Sequence, residues 1–146
     1  MTIVMSLLAP IDTATGASPR AGFVPCEAED DVAQYLLRPY FAADREVLLL
    51  AGFDAFDRLV RLERVRGESA NRCVIPPRCW RSLLNSGVVA VIMAHNHPSG
   101  DARPSAADTR ATQDTALFLR TMDVELIDHL IFVADGHFSF RGAELL

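Results

Sequence analysis

His95 and His97 sit two positions apart at the end of an apolar run, inside the stretch IMAHNHPSGDARPSAAD that covers residues 92–108. On a strand, or a strand running on into a loop, positions i and i+2 face the same side. Two imidazoles on one side can converge on a single Zn2+ at roughly 2.0–2.1 Å each, with Asn96 between them pointing away. Pro98 keeps the exit extended, and Gly100 permits the turn that brings the chain back. Asp108 arrives in the first turn of the next helix, where its carboxylate could serve as a third, anionic ligand. Two neutral nitrogens and one carboxylate leave the fourth tetrahedral position open to water, the arrangement of a catalytic rather than a structural zinc. A plainer reading competes. Ser105 followed by Asp108 is also a helix-capping signature, and an isolated His-x-His pair in most proteins binds nothing. On the residues alone, both readings stand.

Hydrolysis at such an ion needs a group that takes a proton from water and hands it to the leaving group. Glu46 is the candidate. It opens EVLLLAGF (46–53), an apolar strand that could lie beside the one ending in His95, and partial burial there would raise its pKa. Next to Arg45 it is also an ordinary charged strand end. Glu27, Glu29 and Asp30 read as a solvated helix start, and Asp54 and Asp57 as turn residues. His129 reads as a strand histidine bonded to a neighbouring backbone group or carboxylate. Asp128 beside it could orient a ligating histidine. His137 reads as a turn residue and Trp80 as core. Arg103 is read as solvated, with reach to a substrate carboxylate or phosphate.

The elements that must position these groups follow from patterning. Residues 1–26 read as an irregular lead-in. Residues 27–41 start with acids and continue at helical spacing (Val32, Tyr35, Leu36, Tyr40), predicting a helix. REVLLLAGF and RLVRLERVRG read as strands. PPRCWRSLLNSG has a helix's opening proline and closing glycine, and VVAVIMAH reads as a central strand covered on both faces. SAADTRATQDTALFLRTM predicts a second helix, with Ala107, Ala111, Phe118 and Met122 on its apolar stripe. VELIDHLIFVADGHFSF predicts two strands about a turn at Asp135 and Gly136. The order α-β-β-α-β-α-β-β predicts one α/β (α+β) domain over 27–146, a mixed sheet flanked by helices.

With 146 residues, half of them hydrophobic and 23% charged, the chain can build one core. The net charge of −5, with 14 basic side chains, weighs against direct nucleic-acid binding. Three cysteines without CxxC spacing argue against a zinc ribbon or a disulfide framework and fit a reducing cytoplasm. The apolar start lacks the positive region of a secretory signal, and no run reaches the roughly 20 apolar residues of a membrane span.

AHNHPSGDARPSAAD, with DHLIFVADGHFSF downstream, strongly resembles the RadC-like proteins, a bacterial branch of the JAB/MPN (JAMM) domain superfamily. The superfamily's pattern of an upstream glutamate, His-x-His-Pro, a spacer and Ser-x-x-Asp is met by Glu46, His95, His97, Pro98, Ser105 and Asp108. The resemblance implies one Zn2+ per chain held by His95, His97 and Asp108. It also implies Glu46 as general acid/base and Ser105 as a stabiliser of the oxyanion at the scissile carbonyl. It implies a JAB/MPN-type domain with cytidine-deaminase-like layering and metallopeptidase or isopeptidase chemistry on a protein or peptide substrate. A link to DNA repair or replication comes with the family name. Many such proteins carry an N-terminal helix-hairpin-helix region, for which the chain is expected to have no room. Two other function classes stay in view: a non-catalytic zinc-stabilised protein-interaction module, and a metal-dependent nuclease. One histidine pair with a single carboxylate suits the latter's two-metal clamp poorly.

Overall fold

The computed structural model describes residues 21–65, 70 and 72–146. Most of the predicted lead-in, and with it the apolar start, lies outside these residues. Six strands form one mixed sheet in the order β1-β6-β5-β4-β2-β3. They are β1 (Phe23–Pro25), β2 (Leu48–Phe53), β3 (Leu59–Val65), β4 (Ala90–Asn96), β5 (Glu125–Val133) and β6 (Gly136–Ser139). Only β4 and β5 run parallel; every other pairing is antiparallel. Among the described residues two α-helices are bounded at both ends, α1 (Pro77–Leu84) and α2 (Ala106–Thr121). This is the α+β domain with a mixed sheet that the patterning predicts.

Alternation along the central strands builds a core on each face. Leu49, Ala51, Phe53, Ile92, Ala94, Leu130 and Phe132 pack under Val32, Ala33 and Leu37 of the helical segment that precedes β2. Leu48, Leu50, Val91 and Met93 face the other way, toward Leu83 of α1 and Leu119 of α2. Gly52 is the close-packed point of that second face. A Cβ there would meet Val88 at 2.6 Å and Leu83 at 2.9 Å, so a side chain would lift α1 off the sheet. None of the helices is long and apolar enough to cross a membrane, among the described residues.

Three expectations need correction. The lead-in is not irregular to its end, because residues 23–25 add β1 to the edge of β6. The helix expected over 27–41 is instead a π-helical turn, Val32–Leu37, flanked by two short 3-10 turns. Pro39 cannot donate the bond that would extend it, and Glu29 leaves the expected solvated start to become buried. The buried positions of α2 are Asp108, Thr112, Thr115 and Leu119, while Phe118 and Met122 are exposed. The helix turns a polar stripe inward because its first turns face histidines rather than apolar core.

Glu29 fastens the π-helical segment to the far end of the sheet. Arg38 grips it with two donors, at 2.8 and 2.5 Å, and also donates to the carbonyls of Val133 and Gly136. His137, expected in a turn, lies buried on β6 and bonds Glu29 through Nδ1 at 2.6 Å. Burial pulls the Glu29 pKa upward, but the bonds and charges of His137 and Arg38 outweigh it and hold the carboxyl below its ordinary value. A depressed acid stabilises the fold above its unfolded pKa and loses that contribution as pH falls through the folded value. Glu29→Gln is therefore expected to cost about 1.5–3 kcal/mol at neutral pH, the range for a bond to a charged group. Urea melts should show its deficit against the parent shrinking as pH drops below about 4, where the carboxyl protonates. A deficit unchanged at pH 3 would contradict this account.

Candidate metal centre

Strand β4 delivers consecutive side chains to opposite faces. His95, 1% exposed, points to the face covered by α1 and α2, and Asn96 to the face covered by the π-helical segment. His97 leaves the strand but stays in register, its N–H bonded to the Phe132 carbonyl at 3.0 Å. The chain then reverses at Gly100, whose φ of +86° lies in the left-handed region. The reversal brings the Asp101 carbonyl to 2.8 Å from His97 Nδ1. A carbonyl only accepts, so Nδ1 carries a proton, and on the neutral ring Nε2 keeps its lone pair.

Asp108 meets both rings. One carboxylate oxygen lies 3.4 Å from His95 Nε2 and the other 3.2 Å from His97 Nε2. The two Nε2 atoms are themselves 3.0 Å apart, and one donor atom from each residue falls within 4.8 Å of the others. The capping reading is realised at the same time. Ser105 Oγ accepts from the Asp108 N–H at 3.0 Å, and the Ser105 N–H donates to Asp108 Oδ2 at 2.8 Å. A capping acid and a candidate ligand are here one geometry. The Ser105 hydroxyl donates to no protein group among the described residues, so its proton is free for a bound carbonyl.

Charges within the cluster act on one another. Burial pushes the Asp108 carboxyl upward, yet hydrogen bonds from His95 and His97, the His95 charge and the Ser105 N–H hold it far below its ordinary value. Burial works against a proton on His97, but the Asp108 bond, the Asp101 carbonyl and the charges of Asp108 and Glu46 raise it overall. Two ring nitrogens and a carboxylate at these distances need a proton or a cation between them. Imidazole and carboxylate donors suit zinc, so the residues present fit that ion.

Glu46 sits two residues ahead of β2, half-buried, where its charge raises the pKa of both His97 and Cys73. Two residues on from Glu46, Leu48 pairs with His95 across β2 and β4. Asn96 fixes the approach: its Oδ1 accepts from the Val47 N–H at 2.8 Å, and its Nδ2 donates to the carbonyls of Ala42 and Arg45 at 2.9 and 2.8 Å.

Several neighbours differ from expectation. His129 bonds neither backbone nor carboxylate through its ring. Its Nε2 lies 2.7 Å from His95 Nδ1 and its Nδ1 2.6 Å from Thr112 Oγ1. Burial, before the charge of His95, drives its pKa well below the ordinary imidazole value. Asp128 takes the backbone N–H groups of His129 and Arg141 and the Ser139 hydroxyl, which closes the corner after β6 instead of orienting a histidine ring. Arg103 is exposed and pairs with Asp101 at 2.6 Å. Cys73, which no motif marks, buries its thiol 3.3 Å from Asp108 Oδ1, and burial together with that carboxylate raises its pKa. Cys73, His95 and His129 also place donor atoms within 4.8 Å of one another. Spacing could not reveal Cys73, Thr112 or His129, since each reaches the site only through tertiary packing.

A family model described as the RadC-like JAB domain matches residues 26–145. The chain is 41% identical over 119 residues to a UPF0758 protein of Burkholderia mallei, covering 80% of this chain and 41% of that protein. It is 36% identical over 116 residues to a UPF0758 protein of Delftia acidovorans, covering 79% and 51%. With a UPF0758 protein of Paraburkholderia xenovorans it shares 35% over 113 residues, covering 77% and 45%. The chain thus spans about half or less of the length of these relatives.

Asn96 offers a test of how the Glu46 segment is held. Replacing it with alanine strands a buried N–H and two carbonyls, at about 1–3 kcal/mol for each group left without water or partner. Asn96→Ala is therefore expected to lower the denaturant midpoint and to speed amide hydrogen exchange at Val47 ahead of β3. Unchanged exchange at Val47 would show that the segment is held by something other than this carboxamide.

Proposed function

The chain belongs to the RadC-like JAB domain family, and on that footing we propose that it is a zinc-dependent hydrolase of amide or isopeptide bonds. The observation that carries the proposal is the convergence of His95, His97 and Asp108, one donor atom from each lying within 4.8 Å of the others; the role given to Glu46 rests on the family pattern and on its half-buried place two residues ahead of β2. Those three residues would hold the ion, which when bound supplies Lewis-acid polarisation of the scissile carbonyl and eases deprotonation of water.

The remaining steps belong to the protein. Glu46 accepts a proton from the attacking water as the new C–O bond forms at the carbonyl carbon. It then delivers that proton to the leaving nitrogen as the C–N bond breaks. Ser105, its oxygen already accepting from the Asp108 N–H, turns its hydroxyl proton toward the carbonyl oxygen as negative charge builds there. The Asp101 carbonyl keeps His97 in one tautomer throughout. The substrate class is a protein or peptide, since a chain of net charge −5 is poorly suited to polyanions. Three free cysteines are in keeping with work in a reducing cytoplasm.

Protein purified without a histidine tag is expected to carry one zinc per chain by elemental analysis, and His95→Ala to lose it. Glu46→Gln is expected to keep the zinc and to lower cleavage of a peptide or isopeptide library by about 10²-fold or more, the usual size of a general acid/base contribution. Zinc without any cleavage that Glu46→Gln abolishes would instead support a zinc-stabilised interaction module.

A further inference from the structure

Behind the metal centre three buried side chains stand in one line. Thr112 Oγ1 lies 2.7 Å from the Asp108 carbonyl oxygen and 2.6 Å from His129 Nδ1, and His129 Nε2 lies 2.7 Å from His95 Nδ1. The Thr112 contact with the Asp108 carbonyl selects a proton order for the line. A hydroxyl has a single proton, and the Asp108 carbonyl can only accept, so the Thr112 proton points there. His129 Nδ1 must then be the donor to Thr112 Oγ1. The polar partners of the His129 ring are one hydroxyl and one imidazole, with no acid among them, and the ring stacks on Phe140 at 4.8 Å and 6°. A neutral ring protonated at Nδ1 has a bare Nε2. His95 Nδ1, facing that bare nitrogen, must therefore carry its own proton, so on the neutral, metal-binding ring the lone pair would lie on Nε2, the nitrogen turned toward Asp108 and His97.

We propose that Thr112 and His129 are positioning residues whose hydrogen-bond relay, anchored at the Asp108 carbonyl, fixes the tautomer and ring orientation of His95 for metal binding. This rests on the reading of His95 as a ligand. The relay matches what the Asp101 carbonyl does for His97 directly: each ligating ring is set by a backbone acceptor, one in contact and one through two side chains. Helix α2 carries the anchor and the first link of the device, because Asp108 and Thr112 are four residues apart and share a face. The parallel pairing of β4 with β5 supplies the rest, setting Met93 against His129 and His95 against Ile131, so that both histidines emerge on one face. A histidine kept only for packing would not need its proton on a particular nitrogen. An orienting one does, and loss of such a partner commonly weakens metal binding 10–100-fold.

Three variants and one spectrum test the relay. Long-range 1H–15N correlation on the metal-free parent protein is expected to show both His95 and His129 protonated at Nδ1. Zinc affinity, read by chelator competition, is expected to fall for His129→Leu within about 10–100-fold and for Thr112→Val toward the lower end of that range. His129→Gln, which sets a carbonyl oxygen near the place of Nε2, should bind close to parent strength. His129→Leu removes a buried polar ring and can fail to fold; Thr112→Val is nearly isosteric and keeps the test open. Parent-like zinc affinity in folded Thr112→Val, or Gln as weak as Leu at position 129, would overturn the proposal, as would an Nδ1 without its proton on either histidine in the parent. Should the parent take up no zinc, the proposed function fails first. The tautomer spectrum then decides the relay alone.

Discussion

Asp108 is a carboxylate 2% exposed on the inner side of a helix start, and a charge taken that far from water must be compensated on every side. The compensation is spread over five groups: the Ser105 N–H, the helix N-terminus, two imidazoles and the Cys73 thiol. They come from three separate parts of the chain. The loop after β4 must be short and turned at Gly100 to set Ser105 three residues ahead. Strand β4 must end where both histidines reach the same oxygens. The residues before α1 must fold back to bring the thiol. The local conformations around the centre can be read as ways of meeting this one electrostatic demand.

The sheet divides the labour. On β4 the side chains of Ala94 and Asn96 belong to one face, and those of Met93 and His95 to the other. The apolar halves of both sets sustain the fold, and their polar ends at the C-terminal end of the strand supply a candidate ligand on one face and the clamp on residues 42–47 on the other. The centre thus sits at the end of the one parallel strand pair, beyond the carboxyl ends of β4 and β5, where loops leave a parallel pair and groups from separate segments can meet. Rigid packing directly beneath it, with Leu48 and Ile131 flanking His95, allows donor atoms to be held at fixed separations without the ion.

Local grammar carried much of this in the sequence. The His-x-His spacing with a following proline, the glycine turn and the Ser-x-x-Asp cap are all features of a few adjacent residues, so His95, His97, Ser105 and Asp108 could be read together. Glu46 was singled out by its place opening an apolar strand and by the family resemblance, because an acid at a strand edge has no local signature. Thr112, His129 and Cys73 were not legible, since their roles arise from strand register and from how α2 and the segment before α1 lie on the sheet. The inward stripe of α2 misled for a related reason. Hydrophobic periodicity assumes an apolar neighbour, and this helix lies against a polar one. The π-helical segment shows the converse limit, as spacing at 3.6 residues cannot foretell a turn widened beside Pro39.

The alternation His95–Asn96–His97 also bears on how the chain can change over generations. Loops absorb added or deleted residues because their ends need only remain within reach. Inside β4 a single inserted or lost residue would exchange the two faces, carrying the carboxamide into the ligand cluster and an imidazole into the clamp on residues 42–47. Point substitutions there can be tried one at a time, but a change of length would break the centre and its support in the same event. Lineages are accordingly expected to vary the length of the segment between Ser99 and Pro104 while holding that of β4 constant.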